Sequence, residues 1–145
     1  MADLESNILT VSYMNIHGQT KLPTVKQLQI QDFIKYKNID ILHLQEIEID
    51  ENTFSECDYI SSYFNIISNN SVNKYGTASI IRSDLDYRNI RCDTSGRAIM
   101  FDIGAVTFGN VYGHLALMAC QELTEKLSLL KLFQIFSSTI NFMAA

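Results

Sequence analysis

IDILHLQE, Ile39 to Glu46, is the stretch on which the reading of this chain turns. It alternates apolar and polar residues, which predicts a half-buried strand over Ile39–Gln45, with Ile39, Ile41 and Leu44 inward. A carboxylate, Glu46, closes it, at the strand end where α/β folds commonly place chemistry. Upstream, ILTVSYM (Ile8 to Met14) is rich in β-formers and reads as a buried strand that stops at the turn-like Asn15-Ile16-His17-Gly18. Between the two strands Pro23 opens a helix that carries Val25, Leu28 and Phe33 near one face, runs to about Tyr36 and ends at Asn38. Strand, helix, strand is a crossover unit, and it predicts an α/β fold.

Downstream of Glu46 the punctuation is denser. A short helix is expected within Thr53–Tyr63, then a strand over Phe64–Ser68 and a loop at Asn69–Asn73. Thr77–Arg82, Tyr87–Cys92, Ala98–Ile103 and Val106–Tyr112 read as four short strands, separated by Asp84, by Asp93 to Gly96 and by Gly104, which suggests a meander of hairpins. After Tyr112 the pattern changes. Leu123, Leu127 and Leu130, with Leu129, Phe133 and Phe136, form a wide helical stripe, so residues 113–145 read as an apolar helical tail separate from residues 1–112.

Composition bounds the function classes. At 145 residues the chain is one domain at most, and with 47% hydrophobic and 19% charged residues it has the material for a core. A net charge of −5 argues mildly against indiscriminate nucleic-acid binding, which favours a basic surplus. Cys57, Cys92 and Cys120 lack metal-type spacing and read as reduced thiols. The opening MADLESN has no secretory character, and charges interrupt the apolar tail before it reaches a membrane span, so an intracellular protein is expected.

Individual residues carry little chemistry by themselves. Glu46, preceded by the amide of Gln45, could hold a hard cation such as Mg²⁺, yet a solvated acid beside Glu48 and Asp50 is the commoner outcome for such a residue. Asn15 is either a site residue or an ordinary turn asparagine. Asp40 reads as a strand opener, and His17 and His43 show no ligand spacing, so each is expected to be a hydrogen-bonded or an exposed histidine. Arg97, after Gly96, faces phosphate in one reading and pairs with an acid in the other.

Order adds what spacing lacks. MNIHG, a helix, IDILHLQE, KYGTASIIR and GRAIMFDIGAVTFGNVY, in this succession from Ile8 to Tyr112, resemble the endonuclease/exonuclease/phosphatase superfamily, and most closely the endonuclease domain of LINE-type retrotransposons. The resemblance implies a truncated four-layer α/β sandwich, a β-sandwich core flanked by helices with its second sheet incomplete. It further implies Mg²⁺-dependent phosphodiester hydrolysis on DNA, with Asn15 in the floor of the site, Glu46 as the metal ligand, Gln45 beside it and Tyr112 at the substrate phosphate or a neighbouring site group. His17 stands where the DNA-repair relatives carry an acid, a departure that many retrotransposon members share. The Asp-x-Asn and Ser-Asp-His segments with which the family activates water are not found after Asp102. The expectation is therefore a degenerate fragment, inactive alone, nuclear if the ancestral role is retained, and prone to self-association through an uncovered sheet or the apolar tail. One permitted back-translation of Gly113 to Glu125, read from its third base, gives PSGTDGLSRANR, a family-like continuation, which makes a frameshift the preferred origin of residues 113–145. Two other functions fit the same residues: a non-catalytic interaction protein using the tail helix, and a phospholipid- or inositol-phosphate-cleaving branch of the superfamily.

Overall fold

A computed structural model of the chain describes residues 8–19, 21–70 and 75–112. The tail expected over 113–145 lies outside the described residues. The elements are β1 (Val11–Gln19), α1 (Thr24–Lys37), β2 (Ile41–Ile47), α2 (Asp58–Tyr63), β3 (Phe64–Asn69), β4 (Gly76–Arg82), β5 (Tyr87–Cys92), β6 (Ala98–Ile103) and β7 (Val106–Val111). They build a four-stranded sheet in the order β1-β2-β4-β3 and a three-stranded sheet in the order β5-β6-β7. The expected α/β sandwich is present.

The crossover unit is as expected: β1 and β2 pair in parallel and α1 connects them. Pro23 caps α1 with φ −60°, and Asn38 ends it in the left-handed region, its N–H turned back onto the carbonyls of Ile34 and Lys35. The buried face of α1 is only partly the one expected: Phe33 does pack against the core. Ile30 and Ile34, one turn apart, enter the core, whereas Val25 is 66% exposed and Leu28 is exposed. An isolated amphipathic pattern is weak here, and the position of the sheet chooses the face.

β1 also departs from expectation. It begins at Val11, not Ile8, and continues through the predicted turn to Gln19. His17 (φ 60°) and Gly18 (φ 73°) do adopt the left-handed backbone that their turn-like character suggested. They form an irregularity inside the strand, however: pairing shifts between Asn15 and Gln19 and then resumes at Gln19↔Ile47. The predicted meander is corrected as well. β4 leaves it for the first sheet, where it runs antiparallel to both β2 and β3, so the hairpins are β5-β6-β7 alone. The reason is burial. Gly76 to Ile81 are all buried, as suits a central strand, while β5 is largely exposed.

The period of two in β2 and β4 assigns their faces. Leu42, Leu44, Ala78 and Ile80 pack with Ile30, Ile34, Phe54 and Ile60 under the helices. Ile41 and Ile81 pack with Ile99 and Phe101 between the sheets. Both faces of β2 are therefore covered, and the apolar-polar alternation of IDILHLQ does not mark a solvent face. Each fully buried Ile or Leu contributes about 1.5–3 kcal/mol of transfer free energy. Asp40, just before β2, does more than open the strand. It accepts the Thr10 N–H at 2.7 Å and pairs with Arg82, tying the starts of β1 and β2 to the end of β4.

Candidate functional site

Strict alternation places Val11, Tyr13 and Asn15 of β1, and Gln45 of β2, toward the second sheet, and would send Glu46 the other way, under the helices. Glu46 does not obey it. The β2–β4 register shifts between Gln45 and Ile47, and Glu46 itself has φ 54°. This bulge re-aims its carboxylate to the side on which Asn15 lies. There Oε1 accepts the Asn15 Nδ2 at 3.4 Å and the hydroxyl of Tyr112, which arrives from the end of β7. Asn15 is held in that orientation because its Oδ1 accepts the His17 N–H at 2.7 Å. Three segments far apart in sequence thus converge on one oxygen.

Asn15, Glu46 and Tyr112, each expected in the site, are brought together and are each half-buried. Gln45 lies beside them, 3% exposed, with its Nε2 on Asn110 Oδ1 at 2.9 Å. Arg97 is the fifth member. Its guanidinium lies 5.0 Å from the centroid of the Tyr112 ring, a cation–π contact, and the Tyr112 N–H bonds back to the Arg97 carbonyl at 2.9 Å. The ion pairs among the described residues link Arg82 to Asp40 and Asp84, Arg88 to Asp86 and Arg91 to Asp102, so Arg97 pairs with no carboxylate among them. Of its two readings, the pairing with an acid is not what the structure shows.

The loop before Arg97 is built around Asp93, which is 4% exposed. Its Oδ1 accepts the N–H groups of Arg97 and Ala98 at 2.9 and 2.8 Å and the Asn69 Nδ2 at 2.9 Å. Gly96, at φ 75°, supplies the left-handed turn. Arg97 is therefore presented by a fixed backbone.

The remaining sequence candidates lie elsewhere. His17 is exposed next to Asn15 and donates its backbone N–H only. His43 is buried between the sheets, stacked on Tyr13 with ring centroids 4.8 Å apart, with Nδ1 2.7 Å from Ser79 Oγ. Among the described residues its Nε2 has no partner, and burial pulls its pKa down to about 3, so it stays neutral. It is thus neither exposed nor fully satisfied, as a bland histidine would be. Cys57 and Cys92 are free thiols.

A hard divalent cation fits the donors at Glu46 in a limited way. The Glu46 carboxylate meets no cationic side chain among the described residues, and only Oε1 takes protein hydrogen bonds there, which leaves Oε2 open. Among the described residues no three His, Cys, Asp or Glu side chains are grouped to hold a metal. One carboxylate plus water is the donor set on which Mg²⁺, which dehydrates reluctantly, commonly relies. A groove of about 730 Å³ runs alongside, lined by Val11, Tyr13, Asn15, His17, Phe33 and Gln45 among others but not by Glu46 or Tyr112. Its lining residues Val11 to Asn15 come from both faces of β1, which puts the groove along that strand, the outermost of its sheet among the described residues.

No protein-family profile and no curated protein matches this chain. Solved structures do share its fold. An AP endonuclease from Archaeoglobus fulgidus superposes with a TM-score of 0.54 at 19% identity, over 72% of this chain and 41% of that one. The 3′ phosphatase NExo from Neisseria, bound to a product DNA hairpin, gives 0.54 at 22% identity over the same shares. A humanized D. rerio TDP2 carrying 14 mutations gives 0.55 at 11% identity, over 81% of this chain and 57% of that one. The chain spans less than two thirds of the length of each, and the likeness is one of fold.

Proposed function

We propose that residues 8–112 carry the cation- and phosphate-binding part of a Mg²⁺-dependent DNA phosphodiesterase of the retrotransposon endonuclease type. The observation that carries this reading is the convergence on Glu46 Oε1 of Asn15 from β1 and Tyr112 from β7, across a bulge that serves to aim the carboxylate. In support, the proteins that share the fold include an AP endonuclease and a phosphatase bound to DNA.

Each residue then has a part. Glu46 holds the cation through its open oxygen. Asn15 and Tyr112 donate to the other oxygen and fix the carboxylate's rotation. Arg97, a cation on the Tyr112 ring without an acidic partner among the described residues, binds a nonbridging phosphate oxygen, to which guanidinium geometry is well suited. A bound Mg²⁺ supplies Lewis-acid stabilisation of charge on the phosphate and leaving oxygen. None of these side chains is a base placed to activate water, since His43 is walled off between the sheets. Residues 8–112 by themselves therefore form a binding half, without a water-activating base among the described residues.

The test is Mn²⁺ binding, with Mg²⁺ as competitor, to the full chain and to Glu46→Gln, alongside nicking of supercoiled plasmid. Binding is expected to fall about tenfold or more in the variant, with nicking at background in both. Equal Mn²⁺ affinity in the two proteins would overturn the site, and Glu46-dependent nicking would overturn the assignment of a half-site.

A further inference from the structure

Asn110 was not among the residues that the sequence singled out, yet it is the most completely engaged polar side chain near Glu46. It is 0% exposed, on β7 of the second sheet, and its amide crosses to the first. Nδ2 donates to the Leu44 carbonyl at 3.0 Å and to the Ala78 carbonyl at 2.8 Å, and Oδ1 accepts the Gln45 Nε2 at 2.9 Å. Leu44 and Ala78 are register partners on β2 and β4, so one side chain grips two adjacent strands of the opposite sheet.

What it grips is the base of the bulge. Leu44 and Gln45 are the two residues before Glu46, and the register breaks immediately after Gln45. Glu46 occupies left-handed backbone, which is unfavourable for a residue with a Cβ, and such a conformation persists only when its surroundings over-determine it. Asn110 and Tyr112 are two residues apart at the end of β7, and a period of two puts them on one face. The first holds the strand beneath Glu46, and the second holds its carboxylate.

We infer that Asn110 is a positioning residue for Glu46: by clamping Leu44, Gln45 and Ala78 it fixes the bulge that points the Glu46 carboxylate at Asn15 and Tyr112. This rests on the site proposed above, and it is specific to the amide. An aspartate has the size but cannot donate to two carbonyls, and a leucine has the volume but strands Gln45.

The experiment compares the full chain with Asn110→Leu, with the double variant Gln45→Leu/Asn110→Leu, and with Glu46→Gln. Three quantities are read: the thermal midpoint, Mn²⁺ affinity, and amide hydrogen exchange at Glu46 and Ile47 relative to β6. Asn110→Leu is expected to lower both midpoint and affinity. The double variant replaces the buried amide pair by an apolar pair and so recovers most of the midpoint. Its Mn²⁺ affinity stays about 10- to 100-fold down, the size of effect seen when a group that orients a ligand is removed, and exchange at Glu46 and Ile47 stays fast. Recovery of affinity and slow exchange together with the midpoint would make Asn110 merely structural and overturn the inference. If wild type and Glu46→Gln bind Mn²⁺ equally, the cation site fails by itself. Exchange at Glu46 and Ile47 in the double variant then decides the role of Asn110: fast supports it, unchanged defeats it.

Discussion

His43 shows how a single residue writes the pH response of the whole fold. It sits between the sheets against Tyr13 and Phe101, donates or accepts through Nδ1 at Ser79, and leaves Nε2 without a partner among the described residues. Burial pulls its pKa from 6.5 to about 3. The unfolded chain takes up a proton below about 6.5 and the folded chain does not, so acid favours unfolding. His43 therefore leaves stability untouched above pH 6.5 and removes about 1.4 kcal/mol for each unit as pH falls toward 3. Denaturant midpoints measured from pH 7.5 to 4.5 should show this slope in the wild type and a flatter one in His43→Leu, whatever that variant costs at neutral pH. Parallel slopes would mean that His43 charges without opening the fold. Glu46 lies at the opposite pole of legibility. Its residue type and its place at a strand end marked it in the sequence, but its left-handed backbone, which selects the face it serves, did not show there.

At the scale of elements, strands and α1 were readable because their signals are local: β-formers bounded by breakers, a proline before α1 and an asparagine after it. Pairing was not, because β4 has the same local character as β5 to β7 and joins the other sheet through burial on both faces. The join between β3 and β4 depends on Gly76. A Cβ built there would lie 2.1 Å from the Asn69 carbonyl oxygen and 2.8 Å from the Asn70 Cα, both main-chain atoms that cannot rotate away. Gly76→Ala should accordingly cost at least about 1–3 kcal/mol, as overpacking does when nothing can yield. Gly104 supplies the comparison: a Cβ meets nothing within 4 Å there, and only its φ of +57° is unfavourable. Gly104→Ala should lose about 1 kcal/mol, the ordinary cost of left-handed alanine. Urea titrations of the two variants rank them directly, and a smaller loss at Gly76 would show that the β3–β4 connection shifts to make room.

Across the whole molecule, β1 and β3 are the outer strands of their sheet, and among the described residues no strand lies beyond either. Unpaired strand edges recruit other strands, so the purified chain is expected to associate in a concentration-dependent way. Sedimentation velocity over a hundredfold range of concentration checks this, and a monomer throughout would mean that both edges are covered. The sequence by itself determined the class of the fold and the crossover of β1, α1 and β2, and it singled out Asn15, Gln45, Glu46 and Tyr112, which the fold brings close together, because hydrophobic period, turn chemistry and motif order are properties of neighbours along the chain. Tertiary structure alone decided which sheet takes β4, which residues of α1 are buried, that Arg97 stacks on Tyr112, and that the Asn110 amide crosses to the Leu44 and Ala78 carbonyls. Those outcomes depend on groups some 15 to 66 residues apart meeting in space, where burial and the need to satisfy buried polar atoms choose among arrangements that local sequence leaves equal.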